Sequence, residues 1–298
     1  MISCILRSQY FSVGMQNVVV GMIVFTLLTA CSNTGPYQFS AGDHYVNLGS
    51  SFAAGPGVSE AVVNSPKRCG QSTENYANQI ARNLKLDLVD RSCSGATSEH
   101  LLNPWEELPA QIDAVNEQTR LVTILIGGND LGYIGGLMTI ACEHHDRNSD
   151  DPNRNTCLPG FPLPTEEDYI STESRLNQIA LTVRKKAPKA VLVFVDHAKV
   201  LPAGGVCDLA PISIDSARQS TAIANRLAEI TAKVAGENNA HLIQTSRFSR
   251  EHHVCAEHPW VNGYPDAVWT FEKLPFHPKR EAMDAITREL LKILQPDS

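Results

Sequence analysis

Four short stretches carry residue types that work together in acyl transfer. The first, LGSSFAAG, puts Ser50 and Ser51 directly after Gly49, where an apolar run from Tyr45 to Leu48 ends. The second, CSGATS, holds Ser94-Gly95-Ala96, and the third, IGGND, holds Asn129 before Asp130. The fourth, LPFHP, places His277 before Pro278. A serine can attack a carbonyl carbon and a histidine can take its proton. A backbone N–H and an asparagine amide can then hold the oxyanion that develops. The first stretch alone leaves a plainer role open, in which Ser50 or Ser51 caps the helix begun by Phe52-Ala53-Ala54.

Such a set works only if separate elements bring it together. Alternating apolar residues predict strands over 44–49, 86–90 and 121–126, with further strands over 190–195 and 241–244. Helical spacing predicts helices over 74–84, 108–117, 169–186, 214–236 and 279–294, the third with Ile170, Leu176, Ile179 and Val183 on one face. Pro188 stops that third helix. Strand–helix alternation with apolar strands implies an α/β domain whose parallel sheet is covered on both faces. Ligands in such sheets sit beyond the carboxyl ends of the strands, where the first three stretches fall. The long polar stretch 131–168 reads as partly irregular, of the kind that forms binding loops. No repeat or domain linker interrupts the chain.

The 298 residues suffice for a full core, and a net charge of −7 argues against a nucleic-acid partner. The first thirty residues differ from the rest. They contain a single charged residue, Arg7, and an apolar run of 11 residues, Val18 to Leu28. That run is short for a membrane span and suits a signal peptide over 1–30. It ends in Leu28-Thr29-Ala30-Cys31, which resembles a bacterial lipobox with cleavage before Cys31 and lipidation of its thiol. Residues 31–43 then form a tether and 44–298 the working domain. The expected place is the cell envelope, held by the lipid anchor, with plain secretion as the alternative. Six cysteines follow Cys31, an even number in an exported chain. The sequential pairs Cys69–Cys93, Cys142–Cys157 and Cys207–Cys255 are expected. No CxxC or HExxH spacing points to a metal, and the pairs His144-His145 and His252-His253 read as surface histidines.

LGSSFAAGPG, CSGATS, IGGND and LPFHP, in this order across residues 45–278, resemble the four blocks of the SGNH hydrolases, the GDSL lipases and esterases. They are most similar to the secreted, disulfide-containing actinobacterial-type branch. The resemblance implies a three-layer α/β/α fold, a flavodoxin-like parallel sheet of about five strands. It implies a serine esterase or lipase acting on small-molecule or lipid esters without metal or organic cofactor. Ser51 matches the nucleophile; Gly95, Asn129 and the Ser51 amide match the oxyanion donors; His277 matches the general base. Two departures stand out. Ser50 occupies the place of the usual Asp in the GDS triplet, and Leu274 that of an Asp before the histidine. The resemblance then implies that the Leu274 carbonyl orients His277, with Asp266 and Glu272 as nearby substitutes. His258, which also precedes a proline, is the competing base, and Trp260 and Asn262 are candidates for the substrate side. Acyl transfer, deacetylation of a carbohydrate, and a non-catalytic binding module remain the alternative functions.

Overall fold

Five strands, the central three of them largely buried, define the centre of the molecule. In the computed structural model, which describes residues 37–147, 157, 160–264 and 274–295, they are β1 (His44–Gly49), β2 (Asp87–Asp90), β3 (Thr119–Leu125), β4 (Val191–Val195) and β5 (His241–Ile243). Every residue of β4, VLVFV, is buried, as a strand between two helical layers requires. All neighbours pair in parallel, in the order β2-β1-β3-β4-β5. The chain leaves β1 toward one edge and β3 toward the other, so the sheet reverses direction between them. In a flavodoxin-like order that crevice is the preferred place for a ligand. Ser51 follows β1 and Asn129 follows β3, so both candidate groups lie at this reversal.

Helices cover both faces. On one, α2 (Tyr76–Leu84) packs on α8 (Arg280–Leu294); on the other, α5 (Glu166–Lys186) packs on α3 (Ser98–Leu102) and α6 (Ile214–Glu237). Asn75 caps α2 by accepting from the Asn78 N–H, and Ser213 caps α6 by accepting from Ser216. The remaining helices are α1 (Ser51–Ala54), α4 (Tyr133–Arg147) and α7 (Thr245–Phe248). The fold is a three-layer α/β/α arrangement.

Three expectations differ from what is seen. The predicted helix over 108–117 is only a 3₁₀ turn, Gln111–Ala114. Pro109 precedes it, Val115 is extended, and the Gln111 side chain is drawn into the sheet. Conversely, α4 occupies the start of the stretch read as irregular. Its buried Ile134, Leu137, Met138 and Ala141 keep a helical spacing that Gly135 and Gly136 obscure, because glycine disfavours helix interiors. Gly135 makes room for Phe161: a Cβ there would lie 2.8 Å from its ring. On α5 the buried face is Tyr169, Thr172, Leu176, Ile179, Ala180 and Val183, while Ile170 is 61% exposed, since six residues to Leu176 is not a whole number of turns.

Disulfides join Cys69–Cys93, Cys142–Cys157 and Cys207–Cys255. The first ties the loop between α1 and α2 to the loop after β2, and the third ties the loop after β4 to the segment after β5. Cys31 and the leader lie outside the described residues.

Candidate active site

The end of β1 is clamped so tightly that Ser51 has one place to go. The Gln111 amide spans Gly49, accepting from its N–H at 2.8 Å and donating to its carbonyl at 3.0 Å. A Cβ at Gly49 would lie 2.4 Å from the Leu125 carbonyl oxygen, so only glycine lets the strands approach here. The Ser50 N–H donates to that same carbonyl at 3.1 Å, and the Asn75 side chain holds the Ala54 carbonyl at 3.1 Å. Ser50 stands at the N-cap of α1, but its hydroxyl makes no capping bond. Gln111 and Asn75 thus brace the segment on both sides of Ser50. Ser51 opens α1 with its hydroxyl toward the carboxyl end of the sheet.

His277 meets it there. Its Nε2 lies 2.9 Å from the Ser51 Oγ, and its Nδ1 lies 2.8 Å from the Pro275 carbonyl oxygen. A carbonyl can only accept, so Nδ1 carries the proton and the Nε2 lone pair faces the Ser51 hydroxyl. The orienting carbonyl is therefore that of Pro275, not of Leu274. Residues Leu274 to His277 form a tight turn in which Phe276 takes φ 61°, and this turn explains the shift. The Leu274 carbonyl accepts the His277 N–H at 3.4 Å and the Asn262 Nδ2 at 3.2 Å, so it faces away from the ring. Pro275 sits at the second position, where proline suits such a turn, and its carbonyl is left toward Nδ1. Phe276 is fully buried, and packing holds its unfavourable φ.

Asn262 proves to be a clamp for this turn rather than a wall of the substrate side. Its N–H donates to the His277 carbonyl and its carbonyl accepts the Phe276 N–H, each at 2.9 Å. Trp260 is stacked on His252, centroids 3.8 Å apart, and its carbonyl accepts the Lys279 N–H at 2.7 Å, so it packs. His258 is exposed and reaches the structure through its carbonyl, which takes the His252 Nδ1 at 2.9 Å. His144 is exposed as well. Asp266 and Glu272 lie outside the described residues.

The expected oxyanion donors follow β2 and β3, the two strands that flank β1. Gly95 is exposed with φ 84°, and among the described residues its N–H has no partner. The half-buried Asn129 uses one amide hydrogen on the Ala96 carbonyl at 2.8 Å. That bond ties the loop after β3 to the loop carrying Gly95 and leaves the second amide hydrogen to donate. Asp130 braces the same loops by accepting from the Ser98 hydroxyl and N–H. The Cys69–Cys93 bridge anchors this region from below, with Ser94 Oγ donating to the Cys69 carbonyl at 2.8 Å.

Burial is the main electrostatic influence. It pushes the His277 imidazole down to about 4, and the Pro275 hydrogen bond opposes this only partly. His277 is therefore neutral at pH 7, the form that can accept a proton. Sequence reasoning passed over one residue of the cleft, His197. It follows Asp196 at the end of β4, and a polar pair at the carboxyl end of a fully apolar strand was the available signal.

With Asn129 replaced by alanine, kcat for a carboxylic ester is expected to fall by about 10²–10³-fold with KM little changed, because the lost donor acts on the oxyanion and not on the ground-state ester. Steady-state kinetics on the folded variant checks this, and an unchanged kcat would remove Asn129 from the hole.

Residues 48–285 match the model of the GDSL-like lipase/acylhydrolase family. Lipase 2 of Streptomyces coelicolor is 27% identical over 277 residues, covering 87% of this chain and 88% of that protein. The structure of phospholipase A1 from Streptomyces albidoflavus NA297 superposes with a TM-score of 0.65 at 22% identity, over 87% of this chain and all of that one. The extracellular lipase of Streptomyces rimosus gives 0.64 at 23% identity, over 85% of this chain and 100% of that one. These two likenesses establish the fold, while the match over most of the sequence establishes the family. This chain belongs to the GDSL-like lipase/acylhydrolase family.

Proposed function

We propose that this carboxylic ester hydrolase works through an acyl-enzyme on Ser51, with His277 as general base and then general acid. The 2.9 Å contact between Ser51 Oγ and His277 Nε2, with Nδ1 fixed by a carbonyl, is the observation that carries this reading. Ser51 Oγ attacks the ester carbonyl carbon as its proton passes to Nε2. The resulting oxyanion is held by the Gly95 and Ser51 amides and the Asn129 side chain. Collapse expels the alkoxide, which takes the proton from His277 and leaves as alcohol. Water then gives its proton to Nε2, attacks the acyl carbon and releases the acid, restoring Ser51. A carbonyl beside Nδ1 stabilises the imidazolium less than a carboxylate would, so the donors around the oxyanion carry more of the barrier lowering.

The disulfides support an oxidising compartment, outside the cytosol, for this chemistry. The leader and Cys31 support an exported lipoprotein of the cell envelope, whose diacylglyceryl and N-acyl chains together meet the two-chain requirement for stable anchoring. Mass spectrometry of the mature N-terminus tests the anchor. A lipid-modified Cys31 is expected, and an unmodified, freely secreted chain would contradict it.

Activity is tested with the purified full chain, made under oxidising conditions, on p-nitrophenyl esters from acetate to palmitate. Turnover with release of the free acid is expected, and the chain-length profile separates a small-ester enzyme from a lipase. Transfer of the acyl group to an added alcohol in preference to water would make it an acyltransferase. A folded, disulfide-intact protein that turns over no ester would contradict the reading.

A further inference from the structure

His197 takes no part in the steps above, yet it lines the same cleft. It sits at the end of β4, the strand beside β3. Its ring centroid is 4.8 Å from that of Phe52, which is itself 5.5 Å from that of His277. The Tyr133 ring approaches it edge-on at 6.2 Å. Its Nε2 abuts Gly128, the residue before Asn129: a Cβ there would lie 2.7 Å from that nitrogen. His197 is only 6% exposed; among the described residues neither ring nitrogen makes a hydrogen bond, and neither is sealed from solvent. An unpaired ring nitrogen that still reaches solvent beside the catalytic histidine is free to take a polar group of the substrate. Burial pushes this ring down to about 4, with the nearby His277 adding to the effect, so at pH 7 it offers one N–H donor and one acceptor.

Its position selects the part of the substrate it meets. The leaving alcohol oxygen must come to His277 Nε2, because it takes its proton there. His197 shares the Phe52 ring with His277, so the two imidazoles are neighbours where that oxygen leaves. A plain alkyl alcohol would cover both nitrogens and pair neither, whereas a hydroxyl one or two carbons away would pair with one. We propose that His197 is a substrate-binding residue that hydrogen-bonds a free hydroxyl on the alcohol part of the ester, making the enzyme selective for esters of polyols over esters of alkanols. The proposal rests on the Ser51 acyl-enzyme reading.

The test compares three esters with the same acyl chain: propyl butyrate, 1-butyrylglycerol and a glucose monobutyrate. kcat/KM is measured for the full chain and for its His197→Leu, His197→Gln and Ser51→Ala variants. The unaltered protein should favour at least one polyol ester over propyl butyrate by about tenfold, and the better polyol identifies a glyceride or a sugar ester as the source of the hydroxyl. His197→Leu should bring the ratio close to one. His197→Gln, which keeps an amide donor and acceptor, should retain part of it. No preference in the unaltered protein overturns the proposal, even if His197→Leu does not fold. So does a ratio that survives His197→Leu. A Ser51→Ala variant with full activity on all three esters would instead overturn the acyl-enzyme reading.

Discussion

Alanine in place of Ser51 is expected to lower kcat on p-nitrophenyl butyrate by about 10⁴-fold or more, because it removes the hydroxyl that faces the His277 lone pair. Binding should change little, since the hydroxyl contributes mainly once the new C–O bond forms. The fold should survive, because the change removes one atom from the first turn of α1 and no capping bond is lost. Ser50→Ala is the informative partner. Ser50 is buried, its hydroxyl makes no capping bond, and its backbone N–H, which the change keeps, holds the Leu125 carbonyl. Its kcat should stay within about threefold of the unaltered protein, as for substitutions that touch no special feature. Comparable losses from both serines would mean that the two share a structural role, and a loss confined to Ser50 would move the nucleophile by one residue.

His277→Ala should cost about as much as Ser51→Ala, and the double variant should be no slower than either single one, because the two side chains act as a unit. The pH dependence is more specific. His277 accepts a proton only when neutral, so kcat/KM should hold from neutral pH downward and fall on the acid side with a midpoint near pH 4, not near the 6.5 of an exposed imidazole. Burial is the main cause of that displacement. The same burial acts on stability. In the unfolded chain both His277 and His197 bind protons near 6.5, in the folded protein only near 4, so folding is favoured above that interval and the contribution is lost as pH falls through it. Circular dichroism alongside the kinetics separates protonation of His277 from unfolding. A midpoint near 6.5 in a folded enzyme would show that His277 is better hydrated than its surroundings indicate.

The features that could be read from the sequence share a physical cause. Strands β1, β3 and β4 stand out because burial on both faces demands unbroken apolar residues. The four site residues stand out because each lies where an element ends or is about to begin: Ser51, Gly95 and Asn129 after strands, His277 before α8. What depended on a turn's exact course could not be read. Whether the Leu274 or the Pro275 carbonyl meets Nδ1 is decided by Phe276 at φ 61° and by the grip of Asn262 twelve residues upstream. The clamp from Gln111 to Gly49 spans 62 residues, and it claimed a segment that periodicity assigned to a helix. Helix α4 was hidden by two glycines, and the reason for one of them, space for Phe161 beside Gly135, appears only in three dimensions. A lone histidine after a strand carries no periodicity or motif, which is why His197 emerges from its lack of partners and not from its neighbours in sequence.

The measurement that bears most directly on the account is active-site labelling of the full chain with an alkyl fluorophosphonate, followed by peptide mass spectrometry that resolves Ser50 from Ser51. The account predicts one adduct per chain, on Ser51, formed in step with loss of esterase activity and absent from His277→Ala at neutral pH. A stoichiometric adduct on Ser50 or on any other residue, or esterase activity that persists after Ser51 is fully modified, would contradict it.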